Sequence, residues 1–313
     1  MAQVLAGLRR YQTAAAAPPR RERAGIARSG GVTLRDYGGD GPNVVVIPSL
    51  INPPTVLDLA PANSLMDGLA ARGLRALLVD WGATEAAGLG ELVETRLVPL
   101  IASLDAPVAV AGYCLGGTLA VAATALLGAQ VTRLALLATP WHFSGYDAEA
   151  RAGLADWWHR AEPLAVQLGV LPIEILQPAF WSLDTASVVA KYQRLATAPG
   201  HEVAAFTRLE DWSNTGQPLS LTTARDLAED LFRDDLPGHG HWLVGGRPID
   251  PAALGVPILD IIAGRDRIVP PGVAVSTGGA GTPLRLDAGH VGMVVGGRAP
   301  DLLWDPLAAW LAA

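Results

Sequence analysis

The chain has one cysteine, three methionines and four phenylalanines among 313 residues, and only 17% of its residues are charged. A single cysteine excludes an internal disulfide and any zinc cage built from several thiolates. No apolar run approaches the ~18 residues of a membrane-spanning helix, so no transmembrane segment is expected. Met1 to Ala17, followed by Pro18-Pro19-Arg20-Arg21-Glu22-Arg23, lacks an apolar core beside a small-residue cleavage site, which argues against a secretory signal. Net charge is −7 with both signs mixed, and basic residues concentrate only at Arg9-Arg10, Arg20, Arg21, Arg23 and Arg28. A nucleic-acid surface would need a broader basic face with aromatic residues between the charges. No nucleic-acid partner is therefore expected, the arm reads as a solvated leader with contact to an anionic ligand or partner as the alternative, and the compartment expected is the cytoplasm.

What the chain does have is apolar material: half of its residues are hydrophobic, enough for a deep core. Short continuous apolar runs recur at strand spacing: Val44 to Ile47, Ala76 to Val79, Val108 to Ala111, Leu134 to Leu137, Ile258 to Ile262 and Leu284 to Leu286. Continuous rather than alternating runs belong to parallel strands covered on both faces. Helical stretches fill the gaps, notably 64–72 before Gly73 and 115–127 before Gly128. The alternation predicts an α/β architecture with a mostly parallel, doubly wound sheet.

Between Trp141 and Val256 the rhythm stops, although Trp141, Trp157, Trp158, Trp181, Trp212 and Trp242 all lie there. A bare loop of that length is not expected inside a domain. The segment reads as a mainly helical cap over the carboxyl ends of the strands, with one or two tryptophans lining an apolar channel. The expected organisation is an N-terminal arm and leading segment over 1–42, a core over 43–140 and 257–313, and a cap over 141–256.

The sharpest signal is Val108-Ala109-Val110-Ala111-Gly112-Tyr113-Cys114-Leu115-Gly116-Gly117: strand, tight turn, helix. It has the form Gly-x-nucleophile-x-Gly, in which a strained nucleophile needs glycine neighbours. The following helix directs its positive end at the sulfur, favouring thiolate. Its Leu115 amide would face a developing oxyanion, and a second donor is expected from Ile51 in the loop Pro48 to Pro54. In such an α/β-hydrolase fold an acid and then a histidine follow at the ends of late strands. Asp266 and His290 hold those positions. Asp260 falls inside a strand and Asp287 lies too close to His290 in sequence. His142, His159, His201, His239 and His241 fall in the cap, and His239-Gly240-His241 reads as a polar loop, so no metal site and no bound cofactor are expected.

Taken together these residues resemble the catalytic domain of the polyhydroxyalkanoate synthases from about Pro48 onward. Ile51-Asn52-Pro53-Pro54, Val79-Asp80-Trp81-Gly82, Gly112 to Gly117, Phe180-Trp181-Ser182-Leu183, Glu210-Asp211-Trp212, Asp266 to Pro271 and Gly289-His290-Val291-Gly292 carry the likeness in order. It implies Cys114 as acyl carrier, His290 as its base and Asp266 as third member, with Asn52 and Trp212 at the substrate. It also implies 3-hydroxyacyl-coenzyme A as substrate, a hydroxyacyl polyester as product, and granule association. A homodimer or a separate synthase subunit is the implied partner, since only about 40 residues precede the first expected strand. Arg267 stands where the family frequently has histidine. Two other readings remain open: a cysteine esterase or thioesterase that admits water, and a non-catalytic relative that binds polymer or a synthase.

Overall fold

The computed structural model describes residues 2–16, 18, 20–182 and 185–313, except the side chains of 180–182 and 185. Eight strands make its central sheet: β1 (Gly25–Ser29), β2 (Val32–Asp36), β3 (Asn43–Ile47), β4 (Arg75–Asp80), β5 (Val108–Tyr113), β6 (Val131–Leu137), β7 (Ile258–Ala263) and β8 (Thr282–Leu286). Their spatial order is β1-β2-β4-β3-β5-β6-β7-β8. β1 pairs antiparallel with β2, and β2 antiparallel with β4; every other neighbouring pair is parallel.

Successive residues of a strand point to opposite faces, so a continuous apolar run feeds two cores at once. Val45, Ile47, Leu77, Val79 and Val110 enter one core, and Val44, Val46, Leu78, Ala109 and Ala111 the other. Helix α1 (Ala2–Thr13) stands apart from both. Helix α2 (Leu65–Ala71) covers the second face; its N-cap Ser64 accepts the Asp67 amide. Helix α3 (89–102) and helix α4 (Leu115–Leu127) cover the first, with α4 wedged against β3, β5 and β6. Burial of each large aliphatic side chain in these layers contributes roughly 1.5–3 kcal/mol.

Two expectations at the N-terminus need correction. The strands begin at Gly25, not at Val44, because β1 and β2 form a hairpin about Gly30-Gly31, with Gly30 at φ +57°. That hairpin carries an antiparallel edge onto a parallel sheet. The basic arm is not a solvated leader either. Arg20 reaches Asp58 at 2.5 Å and Asp67 at 2.6 Å, Arg23 reaches Asp67 at 2.5 Å, and Arg10 donates to the carbonyls of Leu195 and Ala196.

Among the described residues between β6 and β7, none adds a strand to the central sheet. The segment forms α5 (Ala148–Leu168), α6 (Ile173–Ser182), α7 (Thr185–Leu195), α8 (Gly200–Ser213) and a helical stretch α9 (221–233), with short two-residue ribbons between them. Trp141, Trp158 and Trp242 are buried and belong to the packing of this segment, whereas Trp212 faces a cavity. Leu183 and the side chains of Phe180, Trp181 and Ser182 lie outside the described residues. A last helix, α10 (300–312), closes the second face through Leu303, Leu307 and Leu311. No helix among the described residues is long and apolar enough to cross a membrane.

Candidate active site

Cys114 occupies the turn from β5 into α4 with φ +54° and ψ −130°, a conformation that L-residues rarely adopt. The turn is possible because its neighbours lack side chains. A Cβ on Gly116 would lie 2.3 Å from the Ile47 carbonyl oxygen, and one on Gly112 would lie 2.4 Å from Gly117 Cα. The Cys114 amide donates to the Leu137 carbonyl at 2.9 Å, which ties the elbow to β6. Leu115 is the first residue of α4, so its amide is one of those a helix leaves without an internal partner.

Asp266 follows β7 and His290 follows β8. The two loops bring Asp266 Oδ2 to 2.6 Å from His290 Nδ1. The Asp266 side chain is fully buried, and its Oδ1 accepts the amides of Ile268 and Val269, each at 2.8 Å. This carboxylate is thus held rigidly, with one oxygen committed to the backbone and the other to the imidazole. His290 stacks on the Tyr113 ring, 5.1 Å between centroids and 28° between planes. Its carbonyl accepts the Tyr113 hydroxyl at 3.3 Å.

Burial by itself would push His290 down. The charges of Cys114 and Asp266, with hydrogen bonds to both, outweigh it and raise the imidazole from 6.5 to about 10. Tyr113 and Tyr146 are driven well above the usual tyrosine value, first by burial and then by the charges of Cys114 and Asp266. The site therefore has two neutral phenols beside it. Sequence reasoning missed both: Tyr113 was visible only as the x of the elbow, and Tyr146, whose hydroxyl donates to the Ile268 carbonyl at 3.0 Å, gave no signal.

Cys114 and His290 open into a cavity of about 630 Å³, which Ile51, Asn52 and Trp212 also line. The expected donor and substrate residues also form bonds within the protein. The Ile51 amide donates to Ser49 Oγ at 3.3 Å, so an oxyanion would compete with that hydroxyl. Asn52 Nδ2 donates to the carbonyls of Ser213 (3.2 Å) and Thr215 (3.1 Å). Trp212 Nε1 donates to the Pro53 carbonyl at 2.8 Å. Asn52 Nδ2 and Trp212 Nε1 thus stitch the loop after β3 to the end of α8, and both residues also line the cavity.

The other candidates lie elsewhere. Asp260 is buried in β7 and accepts the Ser276 amide at 2.7 Å, and Asp287 is exposed beside Arg265. His239 Nδ1 lies 3.1 Å from the Asp234 carbonyl oxygen, away from the cavity lining.

The strand order, the strained elbow and the placement of acid and histidine after β7 and β8 define an α/β-hydrolase fold. Solved structures agree. The chain described as the non-heme bromoperoxidase BpoC of Mycobacterium tuberculosis superposes with a TM-score of 0.58 at 20% identity, covering 94% of this chain and 100% of that one. A thermophilic esterase from Thermogutta terrifontis gives 0.52 at 17% identity, covering 94% and 98%.

Within this fold the chain is homologous to poly(3-hydroxyalkanoate) polymerase subunits PhaC. It is 26% identical to that of Haloferax mediterranei over 86% of this chain and 58% of the relative. For Haloarcula marismortui the figures are 24%, 91% and 63%, and for Allochromatium vinosum 27%, 86% and 80%. The chain spans about three-fifths of the length of the two archaeal relatives. No family model matches it.

Proposed function

We propose that the chain is an acyltransferase of the polyhydroxyalkanoate synthase type, passing 3-hydroxyacyl groups from coenzyme A through a Cys114 thioester to a hydroxyl acceptor or growing polyester. The observation that carries this is the cysteine in the elbow, set beside a histidine that is bound to a buried carboxylate 2.6 Å away. Transfer from the coenzyme thiol to a protein thiol exchanges one thioester for another and is close to thermoneutral. A serine ester would lie lower and be harder to pass on.

His290 takes the proton of Cys114, and the thiolate adds to the thioester carbonyl. The Leu115 amide supports the oxyanion, with Ile51 joining if Ser49 releases it. Carbon–sulfur cleavage expels the coenzyme thiolate, which receives the proton held on His290. In the second half, His290 takes the proton of the acceptor hydroxyl, the alkoxide attacks the Cys114 thioester, and the thiolate leaves. Asp266 keeps the imidazole oriented throughout and supports its positive form.

Two features of the cavity support the substrate class. Its lining is mainly apolar around Ile51, Val56, Ile173 and Trp212, which suits an acyl chain. Lys191, Arg194, Arg265 and Arg267 line it as well, in a chain whose net charge is −7. Lys191 is paired with Glu210 and Arg265 with Asp287, and cations held at a cavity wall suit a carrier bearing phosphates, as coenzyme A does.

The test is incubation with 3-hydroxybutyryl-coenzyme A, with mass spectrometry of both protein and acyl products. A hydroxybutyryl adduct on Cys114 and ester-linked oligomers are expected. Free acid with no oligomer would replace this reading with a thioesterase. No adduct, together with unchanged turnover in Cys114→Ala, would remove the catalytic assignment.

A further inference from the structure

The N-terminal helix is far from the nucleophile in sequence but connected to its surroundings through a continuous set of contacts. α1 packs along α7 and against the end of α8. The two helices lie close at Gly7, where a Cβ would lie 1.8 Å from the Tyr192 carbonyl oxygen. Tyr11 makes ring contacts with Tyr192 of α7 (6.3 Å) and Phe206 of α8 (6.1 Å), and those two rings are 5.6 Å apart. Arg10 donates to the Leu195 and Ala196 carbonyls at 2.9 and 3.1 Å, where the positive charge meets the negative end of α7.

From Tyr11 a polar chain leads to the loop after β3. Its hydroxyl donates to Asp211 Oδ1 at 2.8 Å and accepts from Asn214 Nδ2 at 3.3 Å. Asn214 Oδ1 accepts Gln177 Nε2 at 2.6 Å, and Gln177 also donates to the Ser213 carbonyl at 2.9 Å. That carbonyl also accepts the Asn52 amide group, and the neighbouring Trp212 holds the Pro53 carbonyl. Asn52 adjoins Ile51, whose amide is the second oxyanion donor of the proposed mechanism. Meanwhile Ser187, Val188, Lys191 and Arg194 of α7, the helix that α1 lies along, form part of the cavity wall.

We infer that α1 is a positioning strap, with Tyr11 as its positioning residue: it fixes the 49–54 loop and the α7 wall so that the acyl-enzyme meets the acceptor hydroxyl rather than water. The inference rests on the acyl-transfer reading for its chemical consequence, but its structural half stands independently. A hydrogen-bonded seam that loosens admits water to a thioester that must survive until the acceptor arrives.

The experiment uses the full chain and two variants, Tyr11→Phe and Gly7→Val. Tyr11→Phe keeps the ring and removes the hydroxyl, so it folds even if Gly7→Val does not. Hydrogen exchange is followed at 49–54 and 187–194, and the partition of acyl-Cys114 between ester and free acid is measured at fixed acceptor concentration. Faster exchange at 49–54 and a shift of at least about fivefold toward free acid are expected for Tyr11→Phe, which loses the bonds to both the Asp211 carboxylate and Asn214. The rate of Cys114 acylation should change far less, a split that general destabilisation would not produce. Unchanged exchange at 49–54 overturns the strap, whatever the acyl chemistry does. Faster exchange with an unchanged partition overturns its role in acceptor choice. If the unaltered protein never acylates Cys114, the function proposed above fails, and the exchange result alone then decides whether the strap exists.

Discussion

Asp266 and His290 meet at 2.6 Å through a carboxylate that has no freedom left, because its second oxygen accepts two backbone amides. A fixed acceptor on Nδ1 leaves Nε2 as the nitrogen available to the sulfur and to substrate protons. Asp266→Asn keeps the size but removes the charge and one acceptor. kcat is expected to fall by about 10²–10⁴-fold, and the His290 imidazole should titrate below its present value of about 10. Proton NMR of the imidazole checks the second point; an unmoved titration would contradict the coupling.

The same shift makes stability depend on pH in a definite direction. An unfolded histidine titrates near 6.5, and folded His290 near 10. Folding therefore favours proton binding between those values. The stabilisation is fully present below about 6.5 and is lost as pH rises through about 10. The thermal midpoint of the protein relative to His290→Gln should accordingly shrink from pH 6.5 upward. A gap that widens with pH would refute the assignment.

What was legible in the sequence divides along physical lines. β3 to β8 announced themselves because strands buried on both faces are continuous runs, as in Val44-Val45-Val46-Ile47. β1 and β2 did not, because an edge hairpin needs few apolar residues: in β2 only Val32 and Leu34 are buried, between half-buried Thr33 and Arg35. Cys114, Asp266 and His290 could be singled out as candidates because each stands at a strand end in a fixed chain order, and the structure brings the last two together. The docking of α1 was hidden. Arginines in a polar arm look solvated until tertiary structure supplies Asp58, Asp67 and the carbonyls that end α7. For Asn52 and Trp212 the motif marked the side chains without showing that their N–H groups tie the β3 loop to the end of α8.

The elbow gives a steric prediction. In Gly116→Ala the new methyl would meet the Ile47 and Pro48 carbonyl oxygens at 2.3 and 2.4 Å, both backbone atoms that must shift. A loss of about 1–3 kcal/mol is expected in denaturant unfolding, with a larger loss of activity because the displaced segment leads into the Ser49–Ile51 loop. Gly153→Ala is the control. It lies inside α5 with open space around it, so it should be neutral or gain up to about 1 kcal/mol. Equal losses in the two variants would show that the elbow is not under this constraint.

The seam between the β3 loop and α8 allows the two roles of Asn52 to be separated. If Asn52 reads substrate, Asn52→Ala should change KM by an amount that depends on the acyl group offered. If it holds the seam, as its bonds to Ser213 and Thr215 indicate, the loss should be uniform across acyl lengths. It should also be accompanied by a stability loss of about 1–2 kcal/mol from two hydrogen bonds. Trp212→Phe removes the neighbouring bond to Pro53 while keeping an aromatic wall. Because both ties fasten the same two segments, releasing the first leaves less for the second to hold. The double variant should therefore lose less than the sum of the single variants. Strict additivity in unfolding measurements, or an acyl-dependent KM effect, would return Asn52 to the substrate.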